Sequence, residues 1–348
     1  MRFYTKNHRH YCGIDLHART MFICILSHDG EILVEKNIHT SPEAFLELIA
    51  PFREDLVVAV ECMFTWYWLA DLCANEDIPF VLGHALYMKA IHGGKAKNDR
   101  IDATKIAALL RGGMIPKAYV YPHRMRSTRD LLRRRLHLVR HRGQLLAHIQ
   151  NTNYQNNLPD FQAKIIYKAN RKGVPERFKD PSVRKSVEVD LDLIAQYDQI
   201  IRELELFIVR KAKQHDPDMF HRLRSIQGVG KILALTLLYE IHDIERFKTV
   251  QRFASYARLI KCARESGGKR MGTGGAKIGN VHLKWAFSEA AVLFLRNNPA
   301  GRKHLARLTN KHGKGKALSI LAHKLGRATY YVMMRRRNFD MSKFMKTA

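Results

Sequence analysis

The stretch YCGIDLHARTMFICILSHDGEILVEKNI, residues 11–38, decides how the front of this chain folds. YCGIDL, TMFICILS and EILVEKNI are runs of β-branched and aromatic residues, and HDGE between the last two carries the Asp-Gly pair of a tight hairpin. Three strands in series are expected. Outward from them the period changes. SPEAFLELIAPF has the spacing of an amphipathic helix, with Ser41 placed as N-cap and Pro42 at the first helical position. Then follow an apolar strand, LVVAVE (56–61), a helix at WYWLADLCAN (66–75) and a strand at PFVLG (79–83). KAKNDRIDATKIAALL (95–110) opens a further helix, and AYVYP (118–122) reads as a short strand. A hairpin series followed by alternating helix and strand predicts a mixed α/β sheet over residues 1–123.

After Pro122 the pattern turns helical. In MRSTRDLLRRRLHLVRHRGQLLAHIQ (125–150), Leu131, Leu132, Leu136, Val139, Leu145 and Leu146 form an apolar stripe between arginines. Residues 155–185, polar and broken by prolines and Gly173, read as a loop or mobile connector. Val187, Leu191, Ile194, Tyr197, Ile201, Leu204 and Ile208 then recur at spacings of three and four. That pattern fits a coiled-coil hairpin, a dimer seam, or a helix packed on its own domain. Residues 124–215 are thus expected to be a basic helical, coiled-coil linker region, and 216–348 a mainly α-helical C-terminal domain. Within the latter, LRSIQGVGKILALTLL (223–238) reads as helix, Gly-x-Gly turn, helix, and GGKRMGTGGAKIGN (267–280) as a glycine-rich loop. No internal repeat is visible.

Composition narrows the partners. The 348 residues include 60 lysines and arginines against 32 acids, a formal charge of +28, so an acidic polymer, nucleic acid above all, is the expected partner. Between Arg124 and Arg142 lie eight arginines and a single acid, Asp130. Without compensation these would repel one another, so Arg129, Arg133, Arg134 and Arg140 read as contacts to a phosphate backbone. Five cysteines with no C-x-x-C spacing favour neither a disulfide framework nor a zinc module. No apolar run approaches the roughly 18 residues that span a bilayer, and the first residues lack a signal-peptide core. A cytoplasmic protein without a membrane partner is expected.

Four carboxylates stand where they could meet. Asp15 ends the first strand and Glu61 ends LVVAVE, and strand ends of an α/β sheet border ligand crevices. Asp99 and Asp102, three apart, share one helix face. Singly, each acid has an ordinary reading: a strand-end Asp forms turns, and Asp99 is a natural N-cap. Together they would repel unless a hard divalent ion neutralised them, and such ions suit phosphate chemistry. Two of them roughly 3.5–4 Å apart could clamp a phosphodiester. GVGK (228–231) lacks the G-x-x-x-x-G-K-[ST] spacing, so no nucleotide cofactor is expected. A helix-hairpin-helix turn, with Gly228, Gly230 and Lys231 at a phosphate, fits better.

GID (13–15), VE (60–61) and KNDRIDA (97–103) followed by LLRGGMIPKAYVYP resemble the N-terminal domain of DEDD transposases of the insertion sequence 110 family. SIQGVGKILALTLL and RESGGKRMG resemble that family's second segment, so the resemblance covers residues 9–125 and 216–305. It implies an RNase H-like (RuvC-like) fold whose tetrad falls on Asp15, Glu61, Asp99 and Asp102, holding one or two Mg²⁺ or Mn²⁺ ions. It implies a serine nucleophile at Ser266, within Glu265-Ser266-Gly267. The family cuts and rejoins DNA without net hydrolysis, on element ends, circular donor and target. It is guided by a structured noncoding bridge RNA and acts as a dimer or dimer of dimers near the nucleoid of a prokaryotic cell. Gly83-His84 departs from the Asn-Pro of other members, which puts any role for His84 in doubt.

On their own terms Arg264, Lys269, Arg270 and Lys277 could hold a scissile phosphate beside Ser266, and Lys95, Lys97 and Arg100 could do so beside the acids. A phosphoserine keeps the energy of the cut bond, so rejoining needs no nucleotide. Two other readings stay open: a metal-dependent junction resolvase that uses water, and a catalytically silent nucleic-acid-binding protein whose carboxylates are structural.

Overall fold

The three front strands form as β1 (His10–Leu16), β2 (Thr20–Ser27) and β3 (Ile32–His39), joined in antiparallel register. The β2–β3 turn uses Gly30 at φ +95°, where an L side chain would be strained. Ser41 caps α1 (Pro42–Ile49), its hydroxyl accepting from the Ala44 N–H at 3.1 Å. The chain then alternates β4 (Leu56–Glu61), α2 (Tyr67–Asn75), β5 (Phe80–Gly83), α3 (Ala85–Ile91) and α4 (Asp99–Arg111). Strand order is β3-β2-β1-β4-β5, with β1–β4 and β4–β5 parallel. This computed structural model describes residues 2–91, 98–274 and 278–346. It divides into two compact units, Met1–His123 and Arg124–Ala348.

The sheet is covered on both faces, and strand alternation decides which residue meets which cover. Cys12, Ile14, Leu16, Val58 and Val60 pack with Phe45, Ile49, Leu69 and Cys73 of α1 and α2. Tyr11, Val57 and Ala59 face the other way, against Ala103, Ile106, Ala107 and Leu110 of α4. Gly13 lies under α4 so closely that a Cβ there would sit 2.3 Å from the Ala107 nitrogen and 2.4 Å from the Ala103 carbonyl oxygen. Glycine is required because backbone meets backbone.

Two expectations for this unit need correction. AYVYP is not a strand: one antiparallel bridge pairs Lys117 with Gly83, and the chain leaves the sheet edge at once. Its aromatic residues are satisfied by packing, Tyr119 and Tyr121 standing edge-on at 4.8 Å. The cap of α4 is Asn98, whose side-chain Oδ1 accepts from the Ile101 N–H at 2.8 Å. Asp99 is therefore the first helical residue and its carboxylate is released from capping.

The second unit begins with two long helices, α5 (His123–Gln155) and α6 (Pro181–His215). They run antiparallel, as their ion pairs show: Arg135 to Glu205 at 2.7 Å, Arg142 to Asp198 at 2.6 Å, His148 to Asp190 at 2.5 Å. The sevenfold repeat Val187, Ile194, Ile201, Ile208 is buried along α6, which makes the seam internal to the hairpin. The segment between the helices is no loose connector. Ile165, Val174 and Phe178 pack against Ile149, Val187 and Ile194, and Arg171 reaches back to Asp198 at 2.8 Å.

The rest of the unit is a helical core of α7 (Pro217–Arg224), α8 (Lys231–Ile241), α9 (Val250–Tyr256), α10 (Val281–Leu293), α11 (Pro299–His312), α12 (Lys314–Arg335) and α13 (Met341–Lys346). Phe220, Tyr239, Phe253, Phe287 and Phe294 fill its centre. One two-stranded hairpin interrupts the helices: β6 (Cys262–Ser266) and β7 (Lys269–Gly274). Its turn is Gly267-Gly268, both at positive φ, so the expected glycine-rich loop is a hairpin with a two-residue primed turn. Among the described residues, no helix is long and apolar enough to cross a membrane.

Candidate active site

Asp15 follows Ile14, the last residue of β1 paired with β4, and Glu61 follows its partner Val60. Both belong to the odd-numbered series that faces α4, so the two acids leave adjacent parallel strands on the same side of the sheet. Across from them the first turn of α4 carries Asp99 and Asp102, where the positive end of the helix dipole favours carboxylates. The close seat of α4 on Gly13 brings that turn to the strand ends.

Among the described residues, a close group of possible ligands includes a residue that the motifs alone do not single out. Asp15, His17 and Asp99 offer atoms all within 4.8 Å of one another. His17 Nε2 stands 3.3 Å from Asp15 Oδ2 and 3.6 Å from Asp99 Oδ1. GIDLH does hold a signal, since a residue two beyond Asp15 on an extended chain returns to the same face. Asp102 lies three residues further along that first turn, with Lys105 Nζ 3.7 Å from its carboxylate. Glu61 and Asp102 are not members of the 4.8 Å group.

Charge is in surplus here. Burial raises the Asp15 pKa, and the Asp99 and Asp102 charges push the same way against the opposing pull of His17. A site open to solvent, with several carboxyl oxygens whose charges oppose one another, fits a hard divalent cation. The residues present therefore suit the metal that this type of site implies. Arg100, by contrast, turns to Glu35 at 2.5 Å, and Lys95 and Lys97 lie outside the described residues.

In the second unit Ser266 closes β6 and pairs across the turn with Lys269. Ser266, Glu265 and Lys269 are exposed, and nothing lies within 4 Å of a Cβ built on Gly267 or Gly268. The serine is thus presented at an open hairpin tip. Arg264 and Arg270 occupy strand positions of the same hairpin, Arg270 paired with Glu265. Lys277 lies outside the described residues.

Several basic positions have internal employment. Glu240, only 2% exposed, accepts from Arg129 at 3.1 Å, from Arg133 at 2.7 and 3.0 Å and from Asn280 at 2.7 Å. Burial would raise its pKa, yet the Arg133 hydrogen bonds, the two arginine charges and Asn280 together hold it down at about 2. Arg129 and Arg133 are consumed in this network, and Arg135 and Arg142 in the α5–α6 pairs. The arginine run is compensated by acids far away in sequence, which counting Asp130 alone could not reveal. Arg134 and Arg140 remain exposed.

Gly228 is likewise structural. At φ +87° its built Cβ would lie 2.6 Å from the Ala290 oxygen of α10 and from the nitrogen of Phe294, the residue that ends that helix. Gly230 and Lys231 are exposed at the start of α8, which has no side-chain cap. A larger basic face lies elsewhere, outside the expected contacts. No acid occurs between Glu289 and Asp340, while twelve lysines and arginines do. Arg302, Lys303, Arg307 and Lys311 on α11 and Lys314 and Lys316 at the start of α12 are exposed.

Comparison with known proteins agrees with both halves of this picture. A transposase model of the DEDD type in this family matches residues 12–152, and the model for the transposase IS116/IS110/IS902 family matches residues 220–306. The transposase for insertion sequence element IS1111A of Coxiella burnetii (strain RSA 493 / Nine Mile phase I) is 23% identical over 325 residues, 90% of this chain and 86% of its own length. A provisionally assigned transposase, y4qE, of Sinorhizobium fredii (strain NBRC 101917 / NGR234) is 25% identical over 226 residues, 62% of this chain and 53% of its own. Two models of one family, matched in order on the sheet unit with most of α5 and on the helical core that follows, place this chain among the DEDD transposases of the IS110 family.

Proposed function

We propose that the chain cuts and rejoins DNA by transesterification, with an RNase H-like unit supplying the metal-holding acids and the helical unit supplying Ser266. The meeting of Asp15 and Asp99 around His17, with Asp102 three residues on along α4 and Glu61 at the neighbouring strand end, carries the reading. Asp15, Glu61, Asp99 and Asp102 would hold one or two Mg²⁺ or Mn²⁺ ions. The ion supplies Lewis acidity at the scissile phosphate when bound.

The protein's own residues do the rest. The Ser266 hydroxyl gives up its proton to solvent as its oxygen bonds to phosphorus, and one phosphorus–sugar-oxygen bond breaks, that oxygen taking a proton. Attack by the sugar hydroxyl of a second strand end reverses these changes and frees Ser266. Bond count is conserved, so no nucleotide is needed. Lys269, with Arg264 and Arg270, would neutralise the phosphate that Ser266 attacks. Arg134, Arg140, Lys231 and the α11 cations would track a phosphate backbone. A structured guide RNA and a dimer or dimer of dimers, acting at the nucleoid of a prokaryotic cytoplasm, complete the reading.

The test is the Ser266→Ala protein on a DNA substrate with Mg²⁺. Strand transfer and the covalent protein–DNA adduct should both vanish, while DNA binding persists. Undiminished cleavage without an adduct would favour the water-using resolvase. Activity that survives Asp99→Asn and Asp102→Asn would make the acids structural.

A further inference from the structure

We propose that His17 is a nitrogen ligand of the acidic site and biases it toward Mn²⁺ over Mg²⁺; this rests on the divalent-metal reading above. The geometry is that of a donor, not of a bystander. Its Nε2 lies 3.3 Å from one carboxylate and 3.6 Å from the other, and the three donor atoms fall within 4.8 Å. Around a six-coordinate ion with bonds of about 2.1 Å, neighbouring ligand atoms are about 3 Å apart and opposite ones about 4.2 Å. The observed spacing needs only a slight contraction to close on such an ion.

The main chain at position 17 is also fixed. The His17 N–H donates to the Thr20 carbonyl at 3.0 Å, and the His17 carbonyl accepts from Thr40 Oγ1 at 3.1 Å. The ring therefore starts from a pinned backbone beside Asp15 rather than from a wandering loop. Among the described residues, the ion pairs of His17 run to Asp15 and Asp99 alone. A purely carboxylate site suits Mg²⁺, whereas imidazole shifts preference toward later divalent metals in the affinity order that ranks Mn²⁺ below iron, cobalt and zinc. Of the two hard ions suited to phosphodiester chemistry, Mn²⁺ is the one that accepts nitrogen more readily.

The competing account is that His17, when protonated, merely stands in for the cation and swings out when the metal enters. Pulsed electron paramagnetic resonance on the full chain loaded with Mn²⁺ separates the two. Wild-type protein should show ¹⁴N modulation from a coordinated imidazole, and its absence overturns the proposal without any variant. In titration calorimetry with each metal, His17→Gln should weaken Mn²⁺ binding by roughly ten- to hundredfold and Mg²⁺ binding far less. Equal losses for the two metals, or none, also overturn it. Should the wild-type chain bind neither metal, the metal reading itself falls; binding that is lost in Asp99→Asn but indifferent to His17→Gln leaves that reading intact and removes only this inference.

Discussion

A single methyl group at position 13 would strike the backbone of α4. The built Cβ lies 2.3 Å from the Ala107 nitrogen and 2.4 Å from the Ala103 oxygen; ordinary contacts are about 3.5 Å, so the helix must retreat by about 1 Å. Both obstacles are main chain, and no side chain can rotate aside. Forced overpacking costs about 1–3 kcal/mol, and the upper end applies here. For a unit of this size about 3 kcal/mol lowers the melting temperature by roughly 10 °C. Because Asp99 and Asp102 ride on the displaced end of α4, Mn²⁺ affinity should fall as well. Calorimetric melting of full-length Gly13→Ala, with and without Mn²⁺, measures both effects. Gly143→Ala is the control: no atom lies within 4 Å of its Cβ, and alanine in mid-helix should stabilise by up to about 1 kcal/mol. A Gly13→Ala protein that melts like wild type would refute the close-packing argument.

Glu240→Gln removes the buried carboxylate that Arg129 and Arg133 share and should cost about 3–5 kcal/mol in denaturant unfolding of the helical unit. The same group sets an acid limit. Its folded pKa of about 2 is depressed from 4.5, so its contribution, about 3 kcal/mol, is complete above pH 4.5 and drains away as pH falls toward 2; Glu240→Gln should flatten the stability profile across that window. Asn98→Ala removes the α4 cap at a cost of about 1 kcal/mol, read by thermal melting. Neutralising Arg302, Lys303, Arg307 and Lys311 together should flatten the plot of log binding constant against log salt for duplex DNA, by about 0.9 in slope for each phosphate these side chains neutralise. An unchanged slope would show that α11 does not face DNA.

What the sequence disclosed was whatever depends on near neighbours. Alternation placed β1 to β5, and Ser41 with Pro42 announced α1, because strand faces and caps are settled within a few residues. AYVYP misleads because Tyr119 and Tyr121 carry strand-like composition while the next ladder bonds are missing. The arginine run misleads because its partners, Glu240, Glu205 and Asp198, are supplied from α8 and α6. Residues 155–185 look loose because their anchors, Ile149 and Val187, lie on the flanking helices. At the site, Asp99 has the composition of a cap although Asn98, one residue earlier, takes that place. His17 escapes a motif-based reading because a histidine among candidate oxygen ligands draws little notice until the distances are known.

The spacing of the acids along the chain bears on how the protein is made. Asp15 and Asp99 come from opposite ends of the first unit, and they meet where α4 docks on a sheet that includes the parallel β1–β4 pair. Parallel, long-range contacts form late and slowly compared with helices and hairpins. A ribosome-bound chain that has released only the β1–β3 hairpins holds one acid of the set and cannot gather a cation. On the proposed reading the acids can gather a cation only once α4 has docked, and strand transfer waits further for the helical unit that carries Ser266, made later still.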